Sequence, residues 1–175
     1  HSFDIKLPEG LMTILDQLTN DSYEKNAFEC SEEWLSQPEP TDMYDLFKRF
    51  LLPGGKTADI GCGAGRDVCW LAKNGYPSVG FDLSRDLLSI ASKNYPDLEF
   101  RYASLPDLEE IDDTYDNLIC ETVIMHLPQT LIKKSISSLK RILKKNGIMY
   151  LSWRVTVGHD DRKSDRRLYT AFDPE

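Results

Sequence analysis

The sequence is short of the features that mark metalloproteins, disulfide-stapled secreted domains and membrane proteins. Its four cysteines, Cys30, Cys62, Cys69 and Cys120, contain no Cys-x-x-Cys pair, so neither a disulfide framework nor a zinc site is expected. Thiols left free in this way suit a reducing compartment, and the expected location is the cytoplasm. The three histidines, His1, His126 and His159, are too scattered to form a metal cluster, and no metal is expected. No apolar run approaches the roughly 20 residues of a membrane span. A signal-peptide pattern is also missing, and His1 in place of methionine is what a processed or trimmed chain would show. Basic residues are in deficit: 21 Lys and Arg stand against 29 Asp and Glu, a net charge of −8. That balance opposes nonspecific binding to nucleic acid or anionic lipid and suits small substrates or a protein partner. Neither repeats nor low-complexity segments interrupt the chain.

What remains is the composition of an ordinary globular domain, 41% hydrophobic and 29% charged over 175 residues. A single domain of that length buries roughly two-thirds of its unfolded surface. The first fifty residues carry helical patterning without a strand signal, broken at Asn20-Asp21 and at Pro38-Glu39-Pro40. Residues 1–52 therefore read as a helical extension ahead of a core at 53–175. Within it, Ser22 to Ala27 place an aromatic and an amide just before an irregular stretch ending at Trp34, either as a cover on the core or as a lid over a ligand. Thr41 is a suitable N-cap for a helix with Met43, Leu46, Phe47, Phe50 and Leu51 on one face. Pro53-Gly54-Gly55 should stop it.

Strand and helix signals then alternate. Strands are expected near Thr57–Ile60, Ser78–Asp82, Leu98–Tyr102, Asp116–Cys120 and Ile148–Trp153, with Leu168–Phe172 as the start of a sixth. Helices are expected over Arg66–Lys73, ended by Asn74-Gly75, from an N-cap at Ser84 onward, and over Pro128–Leu143, capped by Asn146-Gly147. This alternation predicts an α/β fold, a doubly wound, mostly parallel Rossmann-like sheet with helices on both faces. Ligands of such sheets lie beyond the carboxyl ends of the strands, where the strand order reverses.

The chemically informative stretch is Thr57 to Asp67, T-A-D-I-G-C-G-A-G-R-D. Gly61, Gly63 and Gly65 follow a short apolar strand and precede a helix, which means either a tight turn or a backbone made for close approach to a ligand. Asp82 follows at the end of the second strand, roughly 20 residues beyond the first glycine, where an acidic side chain accepts ribose hydroxyls. It would also suit the N-terminus of the helix starting near Ser84. The G-x-G-x-G spacing followed by Arg66-Asp67 differs from the G-x-G-x-x-G of dinucleotide turns.

It resembles motif I of the class I S-adenosylmethionine-dependent methyltransferases, small-molecule type. The resemblance continues through Phe81-Asp82-Leu83, the T-Y-D-N-L-I-C-E-T-V-I-M-H-L run at strand four and L-K-K-N-G-I-M-Y-L at strand five. It implies S-adenosylmethionine as cofactor, S-adenosylhomocysteine as product and a small-molecule methyl acceptor. By the same resemblance Asp59, Gly61, Cys62, Gly63, Gly65 and Arg66 hold the methionine part, Asp82 the ribose, and Leu83, Ala103, Ser104 and Leu105 the adenine. Ser104 stands where many relatives carry an aspartate. Cys120 and Glu121 should run beside the methionine moiety, with Glu121 suited to a sulfonium cation. Tyr23, in a Tyr-x-x-Asn-Ala pattern, resembles a lid tyrosine over the cofactor. His126, Glu121 and Tyr23 are the candidates for a catalytic base.

Relatives also finish their sheet with a sixth and seventh strand, and the usual seven-stranded sheet would here lack C-terminal strands. An uncovered edge of that kind invites a protein partner or a homodimer. Two rival readings stay open: a cofactor-binding interaction module without catalysis, and a nicotinamide-dependent oxidoreductase.

Overall fold

Five short β-branched and aromatic segments, each followed by a polar or glycine-bearing turn, line up side by side and set the architecture. The computed structural model describes residues 19, 21–22, 25–154, 161–162 and 168–169. Its elements are α1 (Ala27–Ser36), α2 (Thr41–Phe50), β1 (Thr57–Ile60), α3 (Arg66–Lys73), β2 (Ser78–Asp82), α4 (Arg85–Asn94), β3 (Glu99–Tyr102) and β4 (Tyr115–Glu121). A 3-10 turn (Ile124–His126), α5 (Gln129–Ile142), β5 (Leu143–Ser152), β6 (Asp161–Arg162) and β7 (Leu168–Tyr169) complete them. Strands β1 to β5 form one parallel sheet in the order β3-β2-β1-β4-β5. The order therefore reverses between β1 and β4, and the crevice at the carboxyl ends of those two strands is where ligands of such sheets lie.

Alternation along the strands sends side chains to two packed layers. Ala58, Ile60, Leu118 and Cys120 join Leu105, Leu108, Ile111 and the α5 residues Ile132, Leu139 and Ile142 in one core. Ile119, Ile148 and Tyr150 point the other way, toward Met43, Tyr44, Phe47 and Leu51 of the α2 segment and Leu71 of α3. Ser84 caps α4 as expected, accepting from the Leu87 N–H at 3.3 Å. Among the described residues no helix is long and apolar enough to cross a membrane.

Several expectations give way to tertiary packing. Thr41 is the first residue of α2 rather than its cap, and no side chain caps that end. The α2 face is rotated from the predicted one. Tyr44 is buried with Met43, Phe47 and Leu51, whereas Leu46 is 43% and Phe50 53% exposed. The cause is the stack of the Tyr44 ring on Trp70 of α3, centroids 4.1 Å apart, which turns the helix toward Tyr44. The stretch leading to Trp34 is helical, as α1, rather than irregular.

Asn146-Gly147 does not cap α5, which ends at Ile142 and passes directly into β5. The pair sits in an irregularity where β5 opposes Tyr115 with Leu143 but Asn117 with Ile148. Asn146 takes φ 65° there, and a Cβ on Gly147 would lie 2.8 Å from the Asp116 carbonyl oxygen. A left-handed residue and a bare α-carbon accommodate that bulge. Leu168–Tyr169 pairs antiparallel with Asp161–Arg162 in a separate two-stranded sheet, so it does not extend the main one. Positions 170–172 of that expected strand lie outside the described residues.

The turn after α2 is fastened by one buried amide. The Asn117 Oδ1 accepts the Leu52 N–H at 2.8 Å, and its Nδ2 donates to the Leu52 carbonyl at 3.0 Å and to Thr57 Oγ1 at 3.2 Å. Because Asn117 is fully buried in a central strand, truncation strands the Leu52 N–H, while the Leu52 carbonyl keeps the Gly55 N–H at 3.0 Å. Asn117→Ala is expected to lower unfolding stability by about 1–3 kcal/mol, measured by urea denaturation with an unchanged m-value.

Candidate active site

The glycine turn is built against the end of β2. The N–H groups of Gly61 and Cys62 both donate to the Phe81 carbonyl, at 2.7 and 2.9 Å, and the Gly65 N–H donates to the Cys62 carbonyl at 3.0 Å. The Gly63 N–H donates to Asp82 Oδ2 at 2.9 Å. Close packing explains two of the glycines: a Cβ on Gly61 would lie 2.2 Å from a Val123 methyl, and one on Gly65 2.7 Å from the Phe100 ring. Both residues also have positive φ, 80° and 86°, where other residues are strained. The turn therefore offers a ligand few free main-chain donors.

What surrounds it is acidic. Asp59 is buried on β1, Asp67 lies in the first turn of α3, Asp82 ends β2 and Glu121 ends β4. Burial first, and then the charges of Asp67, Glu121 and Asp82, push the Asp59 carboxyl well above the usual carboxylate range, with Arg66 opposing. Burial and then Asp67 push Glu121 up, against Arg66 and Arg154. Burial also raises Asp82, while backbone N–H donors pull it back. Its Oδ1 accepts the Ser84 N–H at 2.9 Å, so Asp82 bridges the glycine turn and the start of α4.

Beside these carboxylates Arg66 grips Asp67, Nε to Oδ1 at 2.9 Å and Nη2 to Oδ2 at 3.3 Å. The Tyr44 hydroxyl donates to the same Oδ1 at 2.7 Å. Tyr44 does not stand out in the sequence, and Asp67 enters there only as the residue that closes the G-x-G-x-G-R-D stretch. The usable signal is that Tyr44, Phe47 and Leu51 share a helical face, with Tyr44 as its polar-tipped member.

Asp59, Glu121, Arg66 and Asp82 thus converge on the crevice between β1 and β4. Cys120 lies one residue from Glu121 and faces the opposite layer, where burial pushes its thiol up to about 12. Cys62 packs with Val68 and Leu88, and its thiol is also raised by burial. Ala103 and Leu105 are buried in the α5-side core, and the Ser104 hydroxyl donates to the Leu105 carbonyl at 3.0 Å. Leu83, partly exposed, follows Asp82. His126 is buried on the 3-10 turn beyond β4, 9% exposed. Tyr23 lies outside the described residues. Thr122, next to Glu121, holds φ 53°, and its N–H is fixed by the Ser152 carbonyl at 3.0 Å. A β-branched residue in that region is strained, a feature that gathers at functional sites. Among the described residues no group of three His, Cys, Asp or Glu is set to hold a metal ion.

Comparison with known proteins agrees with this geometry. The family model of the methyltransferase domain matches residues 58–147, just over half of the chain, and the chain belongs to that family. A ubiquinone biosynthesis O-methyltransferase of Xanthomonas campestris is 28% identical over 118 residues, which cover 65% of this chain and 48% of that protein. The PH0226 protein of Pyrococcus horikoshii is 25% identical with a TM-score of 0.56, covering 65% of this chain and 58% of its own. The 1,6-didemethyltoxoflavin-N1-methyltransferase of Burkholderia thailandensis shares the fold, with a TM-score of 0.72 over 99% of this chain and 82% of that one, at 14% identity. This chain spans between 20% and 59% of the length of the first curated relatives it matches.

The buried Asp59 makes stability depend on pH in a definite direction. Its carboxyl pKa is higher folded than unfolded, so the folded state binds the extra proton and stability falls as pH rises above the ordinary carboxylate range. Asp59→Asn removes that dependence. The variant is expected to melt higher than wild type near pH 8 and to lose this advantage near pH 4, read by calorimetric melting across the range.

Proposed function

We propose that this chain binds S-adenosylmethionine in the crevice between β1 and β4 and methylates a small-molecule acceptor, with S-adenosylhomocysteine as product. The observation that carries the reading is the set of carboxylates, Asp59, Asp67, Asp82 and Glu121, around a glycine turn in which the Gly61, Cys62, Gly63 and Gly65 N–H groups are already bonded. Such a surface attracts a cation and accepts hydroxyl hydrogens. Its carboxylates make it poorly suited to the pyrophosphate of a dinucleotide, which they repel. A nicotinamide cofactor is therefore the weaker fit.

In this reading Asp82 holds the ribose. Each of its oxygens accepts one backbone N–H, and a carboxylate has about four lone-pair sites, which leaves room for a vicinal diol. Leu83 and the segment Ala103, Ser104 and Leu105 frame the adenine. Asp59, Gly61, Cys62, Gly63, Gly65, Arg66, Cys120 and Glu121 line the methionine part, with Tyr23 as the lid expected from the sequence. When bound, the sulfonium supplies an activated methyl group. The protein's task is then to align an acceptor and exclude water, an arrangement that recovers roughly 7–11 kcal/mol of barrier in well-oriented systems. Glu121, His126 and Tyr23 are the groups available to take a proton from the acceptor.

The small-molecule acceptor rests on the acidic balance of the chain and on a relative named for O-methylation in ubiquinone biosynthesis. Residues 1–52 and 53–175 make one domain in this view, extension and core. The free, buried thiols of Cys62, Cys69 and Cys120 suit a cytoplasmic setting.

Titration calorimetry tests the reading. Wild type should bind S-adenosylmethionine and S-adenosylhomocysteine, and Asp82→Ala should weaken the latter by about 1–3 kcal/mol. Binding of NAD with no response to either sulfur nucleoside would overturn it. The raised carboxyls add a sign. A sulfonium favours the ionised forms of Asp59 and Glu121, so the affinity ratio of S-adenosylmethionine to S-adenosylhomocysteine should fall as pH is lowered from about 8 to about 5.5.

A further inference from the structure

The carboxylate-rich crevice poses a problem for a cofactor that carries a carboxylate of its own. An amino-acid tail brings both an ammonium and a carboxylate, and the second is repelled by Asp59, Asp67, Asp82 and Glu121 unless a cation receives it. Arg66 stands among these groups: it opposes the charge on both Asp59 and Glu121. Its Nε and Nη2 are bonded to Asp67, which fixes the plane of the guanidinium, and the Tyr44 hydroxyl lies against it as well. Asp67 is fixed in turn by Tyr44, whose hydroxyl reaches it at 2.7 Å from a different helix. Tyr44 is itself 3% exposed and stacked on Trp70 at 4.1 Å with 12° between the rings. Burial and Asp67 push its phenol pKa upward, so it stays a donor at every working pH. The pairing joins residues 23 positions apart, the extension to the helix that follows the glycine turn.

We propose that Tyr44 is a positioning residue: through Asp67 and its own contact with Arg66 it orients the Arg66 guanidinium toward the carboxylate of the cofactor's amino-acid tail, and it thereby selects the full cofactor over nucleosides that lack the tail. The inference rests on the cofactor reading above. It assigns to the α2 segment a part in ligand selection in addition to its packing on the sheet. A guanidinium held in a plane by one carboxylate is already oriented for a second, whereas a loose arginine would have to be ordered on binding.

The test uses two ligands that differ in the tail, S-adenosylhomocysteine and 5′-methylthioadenosine, titrated calorimetrically into the intact chain. Tyr44→Phe keeps the ring and its stack on Trp70 and removes only the donor. It is expected to weaken S-adenosylhomocysteine about 3- to 10-fold and to leave 5′-methylthioadenosine within about 2-fold. Arg66→Lys, which retains charge but not the two-point grip on Asp67, should show the same selective loss. Equal losses on both ligands, or none on S-adenosylhomocysteine, with wild type binding normally, would overturn the positioning role alone. Wild type that binds neither nucleoside would overturn the cofactor reading and this role with it.

Discussion

The interaction on which the site depends is the double acceptance by Asp82. One oxygen takes the Gly63 N–H and the other the Ser84 N–H, so a single carboxylate ties the end of β2 to the glycine turn after β1 and to the first residues before α4. Backbone donors to a carboxylate give charge-assisted bonds, stronger than neutral ones. They hold three segments from two βα units in register at the strand ends. Without them the turn would keep its bonds to Phe81 but lose its lateral tie, and the acidic edge of the crevice would not have a fixed position.

The second constraint is electrostatic. Four carboxyl groups face one crevice, and each of Asp59, Asp82 and Glu121 is pushed above its ordinary range, by burial before anything else. A protein gains no stability from such crowding; it persists where a bound partner relieves it, and perturbed groups gather at functional sites for that reason. The partner that relieves four carboxylates is a cation. Arg66 is held by Asp67 within this group, and the α2 segment, although outside the βα alternation, reaches it through the Tyr44 hydroxyl.

Much of this was legible in the residues. The apolar segments, the glycine turn and Ser84 marked β1 to β4 and α4 to within a residue or two, because strand period, left-handed glycines and hydroxyl caps are local signals, whereas β5 begins at Leu143, five residues before its expected start at Ile148. The errors have a common character. Asn146-Gly147 looks like a helix cap, yet the pairing of β5 with β4 draws that pair into a bulge. Leu46 and Phe50 look like core, yet the stack of Tyr44 on Trp70 turns α2 so that they face outward. In both cases a contact distant in sequence outweighs a preference of a few tenths of a kcal/mol to about 1 kcal/mol. The partnership of Tyr44 and Asp67 was invisible for the same reason.

The sequence by itself determined the fold class and a nucleoside-type site: alternating strands and helices, G-x-G-x-G followed by Arg66-Asp67, and an acid at the end of the second strand, a pattern that resembles motif I of methyltransferase domains. These are properties of short windows, set by backbone geometry and side-chain period, and they survive without knowledge of neighbours. Only the tertiary structure decided the character of the site. It took the Gly61, Cys62 and Gly63 amides into bonds with β2. It gathered Asp59, Asp67, Asp82 and Glu121 from four separate elements and brought Tyr44 to Asp67. Charge acts through space and burial depends on every packed layer, so the sign and crowding of the crevice exist only once the chain is folded.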